Sequence, residues 1–76
     1  MITGEQVKAA RKLLGWSQMT LALEASVDQS TVLKFETGKG RPSVLSVSTI
    51  KRTLEAAGVE FTDGERPQVR MRTQPG

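Results

Sequence analysis

A short segment near the middle of the chain has the two-sided pattern of a helix that presents polar side chains to a partner. Its apolar side contains Val32 and Phe35, which lie three residues apart. Its other side carries Gln29, Ser30, Leu33 and Lys34. Gln can pair with adenine through two hydrogen bonds, Ser can donate or accept one, Lys can reach guanine or a phosphate, and Leu can contact a thymine methyl group. The pattern fits either base reading or an ordinary solvated helix face with one stray Leu.

The loop that follows this segment is a second candidate site. Lys39 and Arg41 alternate with glycines before Pro42, which makes a flexible loop whose charges and backbone N–H groups can contact phosphates. A solvated turn is the alternative, but the position just past the candidate base-reading helix favours phosphate binding. Lys51 and Arg52 fit either phosphate contacts or solubilising charges, and we favour the second interpretation.

The composition excludes several kinds of chemistry. The chain of 76 residues has no Cys and no His, which excludes disulfides, zinc sites built from those residues, and Cys–His or Ser–His–Asp catalytic groups. The remaining Ser, Asp, Glu and Lys residues are not spaced to activate a nucleophile or to share a metal ion. We therefore expect no enzymatic activity, no metal and no cofactor.

Charge and hydropathy predict the compartment and the kind of partner. The longest uncharged stretch, residues 13–23, contains polar residues and is far shorter than the roughly 20 apolar residues of a membrane span. The first residues lack the basic and apolar regions of a signal peptide, so we expect a soluble cytoplasmic protein without a membrane partner. The net charge is +3, and residues 29–52 carry five cations against one carboxylate, which favours a polyanionic partner.

Four predicted helix starts repeat one arrangement, in which an N-cap residue lies between two apolar residues that pack together across it. The predicted caps are Thr3 with Gln6 in a capping box, Ser17, Asp28 and Ser46. The last start pairs Leu45 with Ile50, and the predicted helix ends are Gly15, Gly38 and Gly58. Only residues 25–27 separate the second helix from the cap of the third, so these two helices pack at a steep angle. The sequence therefore predicts an all-α domain over residues 1–58.

The extension over residues 59–76 changes character. Residues 59–61 and 69–72 alternate between apolar and polar types, and the residues between them are rich in turn formers. These two segments fit a small β-hairpin, strands that pair with a second subunit, or a frayed tail. Residues 73–76 are predicted to be disordered.

The spacing of these residues resembles that of lambda-repressor and Cro-type (XRE-type) helix-turn-helix domains over about residues 2–58. The matching positions are Arg11, Ser17, Gln18, Leu21, Ala22, Val27, Asp28, Gln29, Ser30, Thr31, Val32, Glu36, Thr37, Gly38, Arg41, Pro42, Ser43, Leu54 and Gly58. The resemblance implies a compact repressor-like domain of four to five helices, whose third helix enters the major groove of double-stranded DNA, followed by a short C-terminal extension.

The resemblance also implies roles for individual residues. The implied DNA-binding residues are Gln18, Gln29, Ser30, Thr31, Leu33, Lys34, Lys39 and Arg41. Within this set, Gln18 would bond a phosphate and Gln29 would read a base edge. Arg11 lies near the apolar face of the first helix and fits either a solvated charge or the partner of a carboxylate, for which Glu36 is the candidate. The two residues resemble the buried ion pair of the family, which would make them structural.

Some residues depart from the family pattern. Ser26 stands in the turn where the family usually has Gly, and a positive φ there would cost ~1 kcal/mol. Met19 and Leu23 lie four residues apart and are expected to be exposed as a small apolar patch. Leu33 is unusually apolar for a base-reading position. These departures favour a protein-binding use of the surface more than is usual for the family.

The function hypotheses come from two classes. The first is a non-enzymatic, sequence-specific DNA-binding regulator of transcription, in the first place a repressor, that occupies its operator as a homodimer. The second is an adaptor or antitoxin-like protein that uses the same fold to bind a partner protein. Salt-sensitive DNA binding that is lost on changing Gln29, Lys39 or Arg41 would separate the two classes.

Overall fold

The computed structural model describes residues 2–62 and 68–72 of the chain. The elements are the helices α1 (Gly4–Leu14), α2 (Gln18–Ala25), α3 (Gln29–Thr37) and α4 (Val44–Ala56), and the strands β1 (Val59–Thr62) and β2 (Gln68–Met71). The two strands pair as an antiparallel hairpin beside the helices. The predicted fold class, a helix-turn-helix domain with a short C-terminal extension, is confirmed.

The first three helices begin where the cap pattern predicts. Thr3 Oγ1 accepts from the backbone N–H of Gln6 at 3.1 Å, and Gln6 Oε1 accepts from the backbone N–H of Thr3 at 2.8 Å. Ser17 accepts from the backbone N–H of Thr20 at 3.0 Å. Asp28 occupies the N-cap position of α3, but its side chain makes no capping hydrogen bond. The start of α3 therefore has the expected position without the expected side-chain contact.

Left-handed residues follow each of these three helices. Gly15 (φ 70°) follows α1, Ser26 (φ 55°) follows α2, and Gly38 (φ 72°) follows α3. Glycine adopts this conformation without a Cβ clash, whereas Ser26 carries the strain of ~1 kcal/mol expected from the sequence. The chain can thus turn from α2 into α3 within a few residues.

The predicted start of α4 is wrong. Ser43 rather than Ser46 is the N-cap, because the Ser43 hydroxyl accepts from the backbone N–H of Ser46 at 3.1 Å. The two serines lie three residues apart and both suit a cap, and the apolar pattern around Ser46 favoured the wrong one. Leu45 consequently faces outward, 77% exposed, and does not pack on the buried Ile50 as predicted. The helix ends just before Gly58, as predicted.

One apolar core joins all four helices and β1. Its buried residues are Ile2, Val7, Ala10, Leu21, Ala22, Ala25, Val32, Val47, Ile50, Leu54 and Val59. Small alanines on α2 allow the neighbouring helices to come close. The burial of Val32 fixes the inward side of α3, so the opposite side of that helix faces the surface.

The start of α1 packs directly on the last part of α3. A Cβ atom at Gly4 would collide with the carbonyl oxygen of Phe35 and would lie 3.0 Å from the Cα of Glu36. Only glycine therefore fits at this position without a backbone shift. This close approach holds the C-terminal half of α3 against the body of the domain.

The hairpin is attached to the helices at both strands. Val59 in β1 is fully buried in the core. Gln6, which is also buried, donates from its side-chain amide to the carbonyl oxygen of Gln68 in β2 at 3.3 Å. Of the three possibilities for this segment, the structure has the hairpin. The turn at 63–67 and the predicted disorder of 73–76 lie outside the described residues.

Candidate nucleic-acid interface

The outward side of α3 carries the residues that the sequence assigns to base reading. Gln29, Ser30 and Lys34 are exposed, and Leu33 is 48% exposed. Val32 on the opposite side is fully buried. The helix therefore has the two sides expected from its 3.6-residue period, and its polar side is accessible to a large partner.

A buried ion pair ties α3 to α1. Arg11 Nε donates to Glu36 Oε2 at 2.8 Å and Arg11 Nη2 donates to Glu36 Oε1 at 3.0 Å, so the two groups meet in a bidentate pair. The exposed fractions of the Arg11 and Glu36 side chains are 12% and 2%. The hydrogen bond to Glu36 raises the pKa of Arg11, with burial opposing this shift and the charge of Glu36 reinforcing it. The structure thus brings the two expected partners into contact.

Gln18 joins the same network from the start of α2. Its Nε2 donates to Glu36 Oε1 at 3.3 Å. Arg11 Nη1 also donates to the carbonyl oxygen of Trp16, just before α2, at 2.8 Å. Glu36 therefore connects α1, α2 and α3. The phosphate contact of Gln18 stays a prediction, and in the structure its amide nitrogen is turned towards Glu36.

The loop after α3 brings further cations next to that helix. Lys39 and Arg41 are exposed, and together with Lys34 they line a small hollow at the surface. Its other lining residues are Thr31, Gly40 and Pro42. None of the lining residues is acidic, and in residues 2–62 and 68–72 none of the three cations forms an ion pair. The hollow therefore concentrates positive charge beside α3.

The predicted site residues fall into three groups in the structure. The outward side of α3 has Gln29, Ser30 and Leu33; the hollow has Thr31, Lys34, Lys39 and Arg41; and Gln18 lies at Glu36. Arg52 lines a separate hollow together with Glu24, and its interpretation as a solubilising charge stays a prediction.

Exposed apolar side chains occur in two places near these groups. Met19 and Leu23 on α2 are 56% and 74% exposed, as expected from their spacing. Val44 and Leu45 at the start of α4 are 75% and 77% exposed, which the sequence interpretation missed. The signal that could have found them is a cap at Ser43, because a helix that starts at Val44 turns both side chains outward.

The described residues contain few other features that point to a ligand. Within residues 2–62 and 68–72, no three His, Cys, Asp or Glu side chains are placed to hold a metal ion. The helices in these ranges are all too short or too polar to cross a membrane. A further hollow, larger than the one beside α3, lies between the start of α1, the end of α3 and β2.

A comparison with protein families agrees with this geometry. A family model described as helix-turn-helix, of the XRE and lambda-repressor-like type, matches residues 7–61. The matched range begins within α1, includes α2, α3 and α4, and ends within β1. No curated protein matches the chain significantly.

Proposed function

Because the chain belongs to the XRE and lambda-repressor-like helix-turn-helix family of DNA-binding regulators, we propose that it is a repressor that acts by occupying a DNA operator. The observation that carries the proposal is the exposed polar side of α3 beside a hollow lined by three cations. A B-DNA major groove is wide enough to admit an α-helix, and the backbone on either side of it is polyanionic. A helix with an exposed polar side can enter the groove, and the adjacent cations can contact the phosphates of the backbone.

Sequence choice would come from the outward side of α3. Gln29 lies in the first turn of the helix and is exposed, so its amide can form a bidentate pair with adenine. Ser30 can donate to or accept from a neighbouring base, and Leu33 can contact a thymine methyl group. Such contacts discriminate between bases, whereas phosphate contacts set the register and most of the salt-dependent affinity.

The rigid attachment of α3 supports this function physically. Base reading needs a helix held at one angle, and the bidentate contact between Arg11 and Glu36 fixes α3 to α1. We further propose that two copies bind one operator, so that their α3 helices enter successive major grooves about 34 Å apart on a roughly palindromic site. Repression would then follow from occupancy, without a catalytic step.

The test is selection of bound duplexes from a randomised DNA pool at about 150 mM salt, where non-specific binding is weak. The wild-type chain should enrich a palindromic motif. Gln29→Ala should lose the preference at one position in each half-site, by about 1–3 kcal/mol, because it removes one bidentate base contact.

The control is Lys8→Ala, which changes an exposed cation on α1 and should leave the selected motif unchanged. Enrichment of a motif without two-fold symmetry would contradict the dimer. If neither the wild-type chain nor the Gln29→Ala variant enriches any sequence, the base-reading function is wrong.

A second candidate function is that of an adaptor or antitoxin-like protein. Its support is the exposure of Met19 and Leu23, which form an apolar pair on one side of α2. In that case, changing both residues to Ser would abolish binding to the partner protein and leave DNA binding intact. If the chain acts only as a repressor, the double variant should repress its operator as the wild-type chain does.

A further inference from the structure

The side chain of Lys34 lies against the loop after α3. A Cβ atom built at Gly40 would be 3.4 Å from both Cβ and Cδ of Lys34, so the aliphatic part of this lysine lies along the Gly40 backbone. The same side chain lines the hollow that Lys39 and Arg41 also line. Lys34 is therefore grouped with the loop cations, although its position in the sequence places it on the outward side of α3 with Gln29 and Ser30.

The chemistry of this hollow favours an anion. Three cationic residues and Thr31 line it, and none of its lining residues carries a carboxylate. The C-terminal end of α3 is the negative end of the helix dipole and offsets part of the positive charge. Half a unit of charge at a helix end does not balance three whole charges, so an anion bound between them would relieve their mutual repulsion.

We propose that Thr31, Lys34, Lys39 and Arg41 form one clamp for a phosphodiester group of the DNA backbone, and that base reading is confined to Gln29, Ser30 and Leu33. The proposal rests on the DNA-binding function proposed above. Of the two roles that the sequence offers for Lys34, contact with guanine or with a phosphate, it selects the second. A lysine ammonium group is a point charge that can bind a phosphate from many directions. It can therefore reach a phosphate even when its aliphatic part is held along a loop.

The experiment compares Lys34→Met with Lys39→Met and Gln29→Ala. Met keeps the unbranched stem against Gly40 and removes only the charge. Affinity for the selected duplex is measured across a series of salt concentrations, and the randomised pool is selected again with each variant. Lys34→Arg, which keeps the charge, is the matched control.

The expected result for Lys34→Met is a uniform loss of affinity with an unchanged motif. The slope of log K against log salt should become shallower by about 0.9, which corresponds to roughly fivefold weaker binding at about 150 mM salt. Lys39→Met should behave in the same way, and Lys34→Arg should keep the wild-type slope. Gln29→Ala should instead alter the motif and keep the slope.

Two results would overturn the clamp. A lost preference at one base position with Lys34→Met would make Lys34 a base-reading residue. An unchanged slope and affinity would make it a solvated charge that complements the helix end. Failure of the proposed function itself looks different, because the wild-type chain would then select no motif, before any variant is considered.

Discussion

Two ion pairs with nearly equal contact distances lie in different regions of the molecule. Arg11 Nε and Glu36 Oε2 are 2.8 Å apart where α1 meets α3, and Arg70 Nη2 and Glu60 Oε1 are 2.7 Å apart on the hairpin. The exposed side-chain fractions are 12% and 2% for the first pair, and 67% and 41% for the second. Contact distance alone would rank the two pairs as equals, whereas burial separates them.

The difference lies in what each pair would leave behind if it were broken. Glu36 accepts from Arg11 and from Gln18, and a carboxylate that is 2% exposed cannot replace the guanidinium with water. Glu60 and Arg70 are both solvated, so water can take the place of either partner. The attachment of α3 to α1 therefore includes a buried charge pair, whereas the hairpin is held by contacts other than its own ion pair, among them the burial of Val59 and the bond from Gln6.

The largest expected effect is that of Arg11→Met. It leaves the Glu36 charge buried without its main partner, which should lower the free energy of unfolding by about 3–5 kcal/mol. Urea unfolding followed by helical circular dichroism measures the change. A small domain has a stability of similar size, so this variant should be partly unfolded at 25 °C.

Arg11→Lys keeps the charge but not the bidentate geometry, and its free energy of unfolding should fall between those of the wild type and Arg11→Met.

The pH dependence of stability follows from the raised pKa of Arg11. Its contribution is fully present below the ordinary arginine pKa and is lost only as pH rises through the raised value. This group should therefore cause no loss of stability between neutral and moderately alkaline pH.

The second effect concerns the close contact beside the same ion pair. Gly4→Ala should lower the free energy of unfolding by about 1–3 kcal/mol, because the added methyl group collides with the Phe35 carbonyl oxygen. Helix propensity alone predicts the opposite sign, a gain of roughly 0.5–1 kcal/mol. Lys8→Ala in the same helix is the control and should change stability by less than about 0.5 kcal/mol. A more stable Gly4→Ala variant would show that α1 and α3 do not approach so closely.

The parts of the fold that the sequence predicts are those set by neighbouring residues. Caps such as Thr3 and helix ends such as Gly15 and Gly38 depend on contacts within one turn, so residue type and spacing are enough to find them. The error at Ser46 has the same origin, because Ser43 and Ser46 lie within one turn and either suits a cap. Local patterns therefore predict that a helix exists more reliably than they predict its first residue.

Contacts between distant residues are harder to predict. Gln6 and Gln68 are 62 positions apart, and nothing in either residue type indicates their hydrogen bond. The pair of Arg11 and Glu36 is indicated by the resemblance to a family with such a pair, whereas an arginine near an apolar face can equally be a solvated charge. Periodicity places Lys34 on the outward side of α3. That its aliphatic part lies along the backbone of Gly40 depends on the path of the loop, which the sequence does not give.

The third effect tests how the hairpin is held. Gln6→Met removes the bonds to the Thr3 N–H and to the Gln68 carbonyl, which should cost about 1–2 kcal/mol. Thr3→Ala is the matched control, because it removes the cap at about 1 kcal/mol and keeps the bond to the hairpin. Amide hydrogen exchange in the strands should accelerate in Gln6→Met and not in Thr3→Ala. Equal exchange in both variants would mean that the bond from Gln6 does not hold the hairpin.

The smallest effect is that of Arg70→Met, the same substitution as at Arg11 but in the exposed pair. Removing a solvated partner should change the free energy of unfolding by no more than about 1 kcal/mol, and added salt should shrink this difference further because exposed charges are screened. Urea unfolding of Arg11→Met and Arg70→Met side by side, at low and high salt, measures the contrast directly. Equal losses from the two variants would mean that contact distance decides how much each pair contributes to the free energy of unfolding. A large loss at Arg11 alone would mean that burial decides it, and that the pair with Glu36 fixes α3 to α1.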